Sequence, residues 1–136
     1  MLQGTLRGWE VQPEDIETYD EEKQYNIFVM FLGIDKSEDT SDQRWDAANL
    51  MREGERFMNE MAERGRIVRG LYATSRTRDG IFLLERMEFS QIAEFSNAKR
   101  KAYCIDMGTS KSAIARDYRA YLHTLKLPKK LTQGIL

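Results

Sequence analysis

The sequence predicts one α+β domain with an extra helix and tail at its C-terminal end. Three observations predict it. Apolar runs of strand length and amphipathic stretches of helix length follow one another as strand, helix, strand, strand, helix, and then residues 102–107, which read as a fourth strand or as the end of the second helix. The chain has 136 residues, the size of a single domain. It is 41% hydrophobic and 32% charged, a balance that supports a core inside a polar surface. On this reading residues 1–23 are an acidic arm, 24–107 the α+β domain, and 108–136 a basic helix and tail.

Each element has a physical reason. "YNIFVMFLGI", residues 25–34, is apolar at nearly every position and predicts a strand buried on both faces. Thr40 and Gln43 have capping-box spacing, and Asp42 and Asp46 sit where the helix dipole favours negative charge. Ala47, Leu50, Met51, Phe57, Met58 and Met61 then recur at helical steps. They predict a long helix, interrupted at Gly54 for a close backbone approach and closed by Gly65 as a left-handed cap. "IVRGLYAT", 67–74, and "IFLLERMEF", 81–89, predict two strands of a hairpin, joined by a turn in which Asp79-Gly80 supplies positive φ. Ser90 caps a predicted second helix, "QIAEFSNAKRKA". "TSKSAIARDYRAYLHTLK" predicts a last helix, capped by Thr109 or Ser110, with Ile114, Tyr118, Tyr121, Leu122 and Leu125 along one side and Pro128 as its stop.

The net charge of −1 hides a division. Residues 1–64 hold 7 Lys/Arg against 16 Asp/Glu, a net of −9, whereas residues 65–136 hold 14 against 6, a net of +8. That asymmetry suits an acidic partner for the second half, nucleic acid included, or contact between copies; it also suits two solvated faces that merely differ. No apolar run approaches the ~20 residues that cross a bilayer. The acidic N-terminus lacks a signal-peptide pattern, and a lone Cys104 allows no internal disulfide. A cytoplasmic, intracellular protein without a membrane partner is the expectation.

The stretch "MNEMAERGRIVRGLYA" leading into "DGIFLLERMEFSQIAEF" carries a helix that ends in glycine and feeds a strand. The chain then turns and returns through an apolar strand with acids at its end. Over residues 25–107 this pattern resembles the ferredoxin-like fold. Within that fold it is most similar to the dimeric α/β-barrel superfamily, which includes the muconolactone-isomerase-like small proteins. The resemblance implies a split β-α-β antiparallel sheet with helices on one face, and a dimer. The family ends on a fourth strand, whereas this chain adds a basic helix and tail. A physical argument runs beside the resemblance: two helices cover one face of a small sheet, yet the first strand is apolar on both. The second face needs a cover, either a second copy or the chain's own C-terminal helix.

Candidate chemistry is sparse. Glu85, in the predicted third strand, shares a face with Tyr72; as a buried carboxylate it is the candidate base of a small isomerase- or lyase-like enzyme, with solvent exposure or an arginine partner as the alternative. His123 has no acid or nucleophile near it in sequence. Cys104 has Arg100 and Lys101 nearby, which would lower its pKa if close in space, but it reads more simply as a small core thiol. No His/Cys ligand spacing, P-loop or GxGxxG is present, so neither metal nor cofactor is expected. Residues 103–119 fit a helix-turn-helix, with Cys104, Gly108 and Ile114 at suitable spacing. Ser110, Lys111, Ser112 and Arg116 would then face a DNA groove, with Arg119 and Lys126 near phosphates. The reading that needs no reactive constellation is a non-catalytic homo-oligomeric binding or assembly protein, a dimer or larger, whose termini reach onto neighbours. The helix-turn-helix regulator and the cleft enzyme are its alternatives.

Overall fold

Aromatic and β-branched residues favour a pleated, half-buried strand, and "QYNIFV" forms one, β1, Gln24–Val29. After it come α1, Thr40–Glu63; β2, Ile67–Ser75; α2, Arg78–Arg86; β3, Ser90–Phe95; β4, Arg100–Asp106; α3, Ala113–Thr124; and the short α4, Lys129–Thr132. The computed structural model describes residues 10–16, 18, 20–29, 40–95 and 100–136. The predicted extension of the first strand beyond residue 29 and the Trp9 anchor lie outside them. The four strands form one mixed sheet in the order β1-β2-β4-β3, with β1 parallel to β2 and the other two pairings antiparallel.

The α+β class holds, and the expected all-antiparallel sheet does not. β1 and β2 are hydrogen-bonded neighbours, with α1 as the crossover that a parallel pair requires. α1 spans Thr40–Glu63 and ends as Gly65 predicts, while the side chains of the predicted capping box, Thr40 and Gln43, lie outside the described ones. Gly65 has φ +73, its N–H bonds the Ala62 carbonyl, and the Arg66 N–H reaches back to Met61, the pattern of a Schellman cap.

The predicted hairpin over 67–89 is a strand followed by a helix. Thr77 accepts from the Gly80 N–H at 3.1 Å and Asp79 lies in the first turn, so the chemistry read as a turn is an N-cap. Leu84 is buried and Ile81 and Met87 pack beside it, a step of three that suits a helix face. The helix closes on Glu88, which has φ 63. Glu88 N–H bonds the Glu85 carbonyl and Phe89 N–H bonds that of Leu84, again a Schellman cap, with Leu84 and Phe89 as its buried apolar pair. A non-glycine residue pays about 1–2 kcal/mol in that conformation. Here it brings a carboxylate 2.7 Å from the Ala113 N–H at the start of α3, where the helix dipole favours negative charge.

Of the predicted second helix, residues 91–95 belong to β3 and 100–102 to β4, and residues 96–99 lie outside the described ones. Ser90 pairs with Cys104 and Phe95 with Arg100, so residues 102–107 resolve as strand up to Asp106. Pairing with β4 holds residues 90–95 as an edge strand, and β4 itself is paired on both sides. The last helix starts at Ala113 with Ser112 as its cap, three residues later than Thr109 predicts, and ends at Thr124, before Pro128.

One cluster holds the core, and all four described helices contribute to it: Met58 and Met61 from α1, Leu84 from α2, Ile114 and Leu122 from α3, Leu131 from α4. Their sheet partners are Leu71, Ala73, Tyr103 and Ile105. The C-terminal tail therefore belongs to the chain's own core rather than to a neighbour. Leu131 and Ile135 are buried, and a Cβ on Gly108 would collide with the Gly134 carbonyl oxygen. Across the α1–α3 seam the Tyr121 hydroxyl donates to Glu63. Burial, then the Asp117 charge, raise the Glu55 carboxyl there, with Arg52 pulling it back.

Tyr118 ties α3 to the sheet. In β2, Tyr25 pairs with Val68 but Asn26 with Gly70, so Arg69 is an extra residue, a bulge. β4 ends opposite Gly70, which leaves Val68 N–H without a strand partner on that side. The buried Tyr118 hydroxyl accepts from it at 2.9 Å. Replacing Tyr118 by Phe strands that N–H in the core and lowers stability by about 1–3 kcal/mol, measurable by urea unfolding. Burial also pushes the Tyr118 phenol up to about 12, with the Val68 hydrogen bond opposing weakly. The phenol of the unfolded chain titrates near 10, so between roughly pH 10 and 12 the unfolded state alone sheds the proton and stability falls by about 1.4 kcal/mol per pH unit. In Tyr118→Phe the alkaline slope is shallower by about one proton. At Glu88 the two roles separate by substitution. Glu88→Gly loses the cap but relieves the backbone, and Glu88→Ala loses the cap without relief, so Glu88→Ala melts below both wild type and Glu88→Gly.

Candidate functional site

Strand alternation sorts the sheet residues into two faces. Leu71, Ala73, Tyr103 and Ile105 face the helices. On the other face the register aligns Phe28 of β1, Tyr72 of β2, Cys104 of β4 and Ser90 of β3 in one row across all four strands. Phe28, Tyr72 and Cys104 are half-buried, and none belongs to the core cluster. Thr74 and the buried Ala102 form the next row, and Asn26, Gly70 and Asp106 the one before. The Tyr72 ring lies over Gly70: a Cβ there would stand 2.9 Å from its Cε2. The missing side chain leaves room for the ring against the Gly70 backbone. The C-terminal helix, the predicted alternative cover, packs with α1 on the opposite side.

The predicted catalytic pair does not converge. Glu85 lies on α2, exposed, and accepts a long 3.4 Å bond from the Tyr103 hydroxyl on the helix side. Tyr72 lies on the other face of the sheet. The shared face expected for them assumed a strand at 81–89, and the capped helix removes it. Cys104 is not activated by its basic neighbours: burial, then the Asp106 charge, push its thiol up. His123 is exposed beside a groove of about 540 Å³ whose described lining includes Lys129 and Lys130 but no carboxylate side chain or thiol. Among the described residues no group of three or more His, Cys, Asp or Glu gathers to hold a metal ion. No described helix is long and apolar enough to cross a membrane.

Residues 103–119 form strand, turn and helix rather than helix, turn and helix. Gly108 sits in the turn, where its N–H and that of Thr109 bond the Asp106 carboxylate at 2.9 and 3.0 Å. Ser112 is buried as the cap of α3, accepting from the Ala115 N–H, and Ser110 donates to it. Arg119 is committed internally, donating to the Met107 carbonyl at 2.6 Å and the Ser110 carbonyl at 2.9 Å, so it clamps the turn that β4 makes into α3. Of the four residues expected to face a DNA groove only Lys111 and Arg116 are exposed, and of the two expected near phosphates Lys126 is exposed and Arg119 half-buried. The surface row Phe28–Tyr72–Cys104–Ser90 has no signature along the chain, because register between distant strands creates it.

Comparison of the chain with known protein families, with curated proteins and with solved structures finds no match.

The clamp separates structural from solvent-facing cations. Arg119→Ala removes two charge-assisted hydrogen bonds and lowers stability by about 1–3 kcal/mol. Lys111→Ala and Arg116→Ala stay within about 0.5 kcal/mol of wild type. Chemical denaturation of the three variants checks this.

Proposed function

We propose that the protein is a non-catalytic binding module that pairs with a second copy of itself, sheet face against sheet face. The observation that carries this reading is the row Phe28, Tyr72, Cys104 and Ser90 on the face that none of the four described helices occupies. Apolar surface held in water forgoes about 25 cal/mol per Å² of burial, and a contiguous patch of it marks an interaction surface.

Charge favours a second copy as the occupant. Arg100 and Asp106 stand at opposite ends of β4 on this same face. A two-fold axis that runs β4 antiparallel to its mate brings Arg100 towards the partner's Asp106, twice over, which is the self-complementarity that such an interface needs. The mixed sheet with its one-sided helices is compatible with a ferredoxin-like arrangement in a strand order of its own. The resemblance to dimeric α/β-barrel proteins suggests the same manner of pairing, two sheets meeting through their bare faces. The cleft-enzyme reading is weaker because Glu85 and Tyr72 stand on opposite sides of the sheet. The regulator reading is weaker because its first helix is a strand.

Sedimentation equilibrium at micromolar concentration is expected to give twice the chain mass of 15.9 kDa. Tyr72→Glu, which places a carboxylate in the middle of the row, returns the mass to that of one chain with an unchanged circular dichroism spectrum. Cys104 alkylates slowly in the wild type and faster in this variant. A wild-type monomer that alkylates as fast as the variant sinks the reading. Salt-dependent retention on DNA that Lys111→Ala/Arg116→Ala abolishes replaces it with nucleic-acid binding.

A further inference from the structure

We propose that the cleft between α1 and the sheet is a binding site for a small neutral apolar molecule, about the size of one aromatic ring. It lies on the helix-bearing side, away from the proposed pairing face, and is argued independently of that pairing. The cleft measures about 210 Å³, with Leu50, Met51 and Phe57 of α1 on one side, Leu71 as floor, and Leu84 and Met87 opposite. Glu53 is the only charged residue of its described lining, and it is exposed, with Arg56 Nη1 3.9 Å from its carboxylate. A cavity of about 150 Å³ with such walls stays dry and takes up benzene, because water inside finds no polar partner. The larger cleft here accommodates one ring with a short substituent. A charged ligand would lose its hydration and find no counter-group in the depth of the cleft, which selects for a neutral one.

Gly54 is the independent second observation. It stands within the 24-residue helix α1, where glycine is less favourable than any residue but proline. Every other described glycine has a local reason: Gly65 and Gly134 have positive φ, and a Cβ at Gly70, Gly80 or Gly108 would run into a neighbouring atom. At Gly54 a Cβ would meet nothing within 4 Å. Among the described residues, the close backbone approach that the sequence suggests there does not occur. Gly54 belongs to the cleft lining, so its missing side chain keeps that wall open. Three methionines, Met51, Met58 and Met87, also line the cleft and supply adaptable walls of the kind that reshape around a guest.

The test is fluorine NMR of fluorobenzene titrated with the full chain. The resonance should broaden and shift saturably, and toluene should reverse the change. Gly54→Leu and Met51→Phe each fill the cleft and should weaken the binding at least about tenfold, a loss of 1.4 kcal/mol, while both keep a cooperative melt. Should one of them lose its melt, the other carries the comparison. No saturable shift with the wild-type chain overturns the proposal. So does a shift that persists undiminished in a folded filled variant, since the probe then sits elsewhere.

Discussion

The hydrogen bond from Val68 N–H to the Tyr118 hydroxyl decides how this molecule is layered. It exists because β2 carries one residue too many. The bulge at Arg69 turns both Val68 and Leu71 into the core, and β4 stops short of Val68. A buried N–H without a partner costs as much as a lost hydrogen bond, and α3 supplies that partner from fifty residues away. Once Tyr118 is seated, α3 lies beside α1 on the same face, and the chain has no described helix left for the other.

The same end of the sheet is tied down by a polar network built around the bulge. Arg69 donates to Gln24 Oε1, Gln24 Nε2 donates to the Leu131 and Gln133 carbonyls, and the Arg69 carbonyl receives the Met107 N–H. Arg119 and the Asp106 carboxylate hold the turn that follows. Among the cations of the second half of the chain, Arg66 and Arg119 donate to backbone carbonyls. What the charge division suggests as a nucleic-acid surface is in part an internal scaffold. Glu88 shows the same economy from the acidic side, with a strained backbone held in place because its carboxylate meets the start of α3.

Two surfaces remain that the described α-helices do not fill. On the sheet face away from those helices Tyr72 lies over Gly70. The cleft beneath α1 is narrow and apolar, with Gly54 in its wall. They lie on opposite sides of the sheet. Glu85 on α2, His123 on α3 and the adjacent Tyr72 and Cys104 on the sheet stand in three separate parts of the structure.

Local chemistry was enough to determine several elements from the sequence by itself. α1 could be read from its cap spacing to Gly65, because capping and a left-handed stop depend on residues within one turn. β1 and β2 could be read from unbroken runs of apolar and β-branched residues, and α3 from the step between Ile114, Tyr118 and Leu122. The α+β class followed from these, whereas the described part of β1 is apolar mainly on its helix side, since Gln24 and Asn26 share the other face with Phe28. Only the tertiary structure decided that 81–89 is mostly helix and that 90–95 is strand. The first turns on whether Thr77 caps Gly80 or Asp79-Gly80 makes a turn, and the second on pairing with β4, a partner that local spacing cannot see. Strand order, the bulge at Arg69 and the row from Phe28 to Ser90 were likewise beyond the sequence. Each is a register between segments far apart in the chain, and a shift of one residue would exchange the two faces.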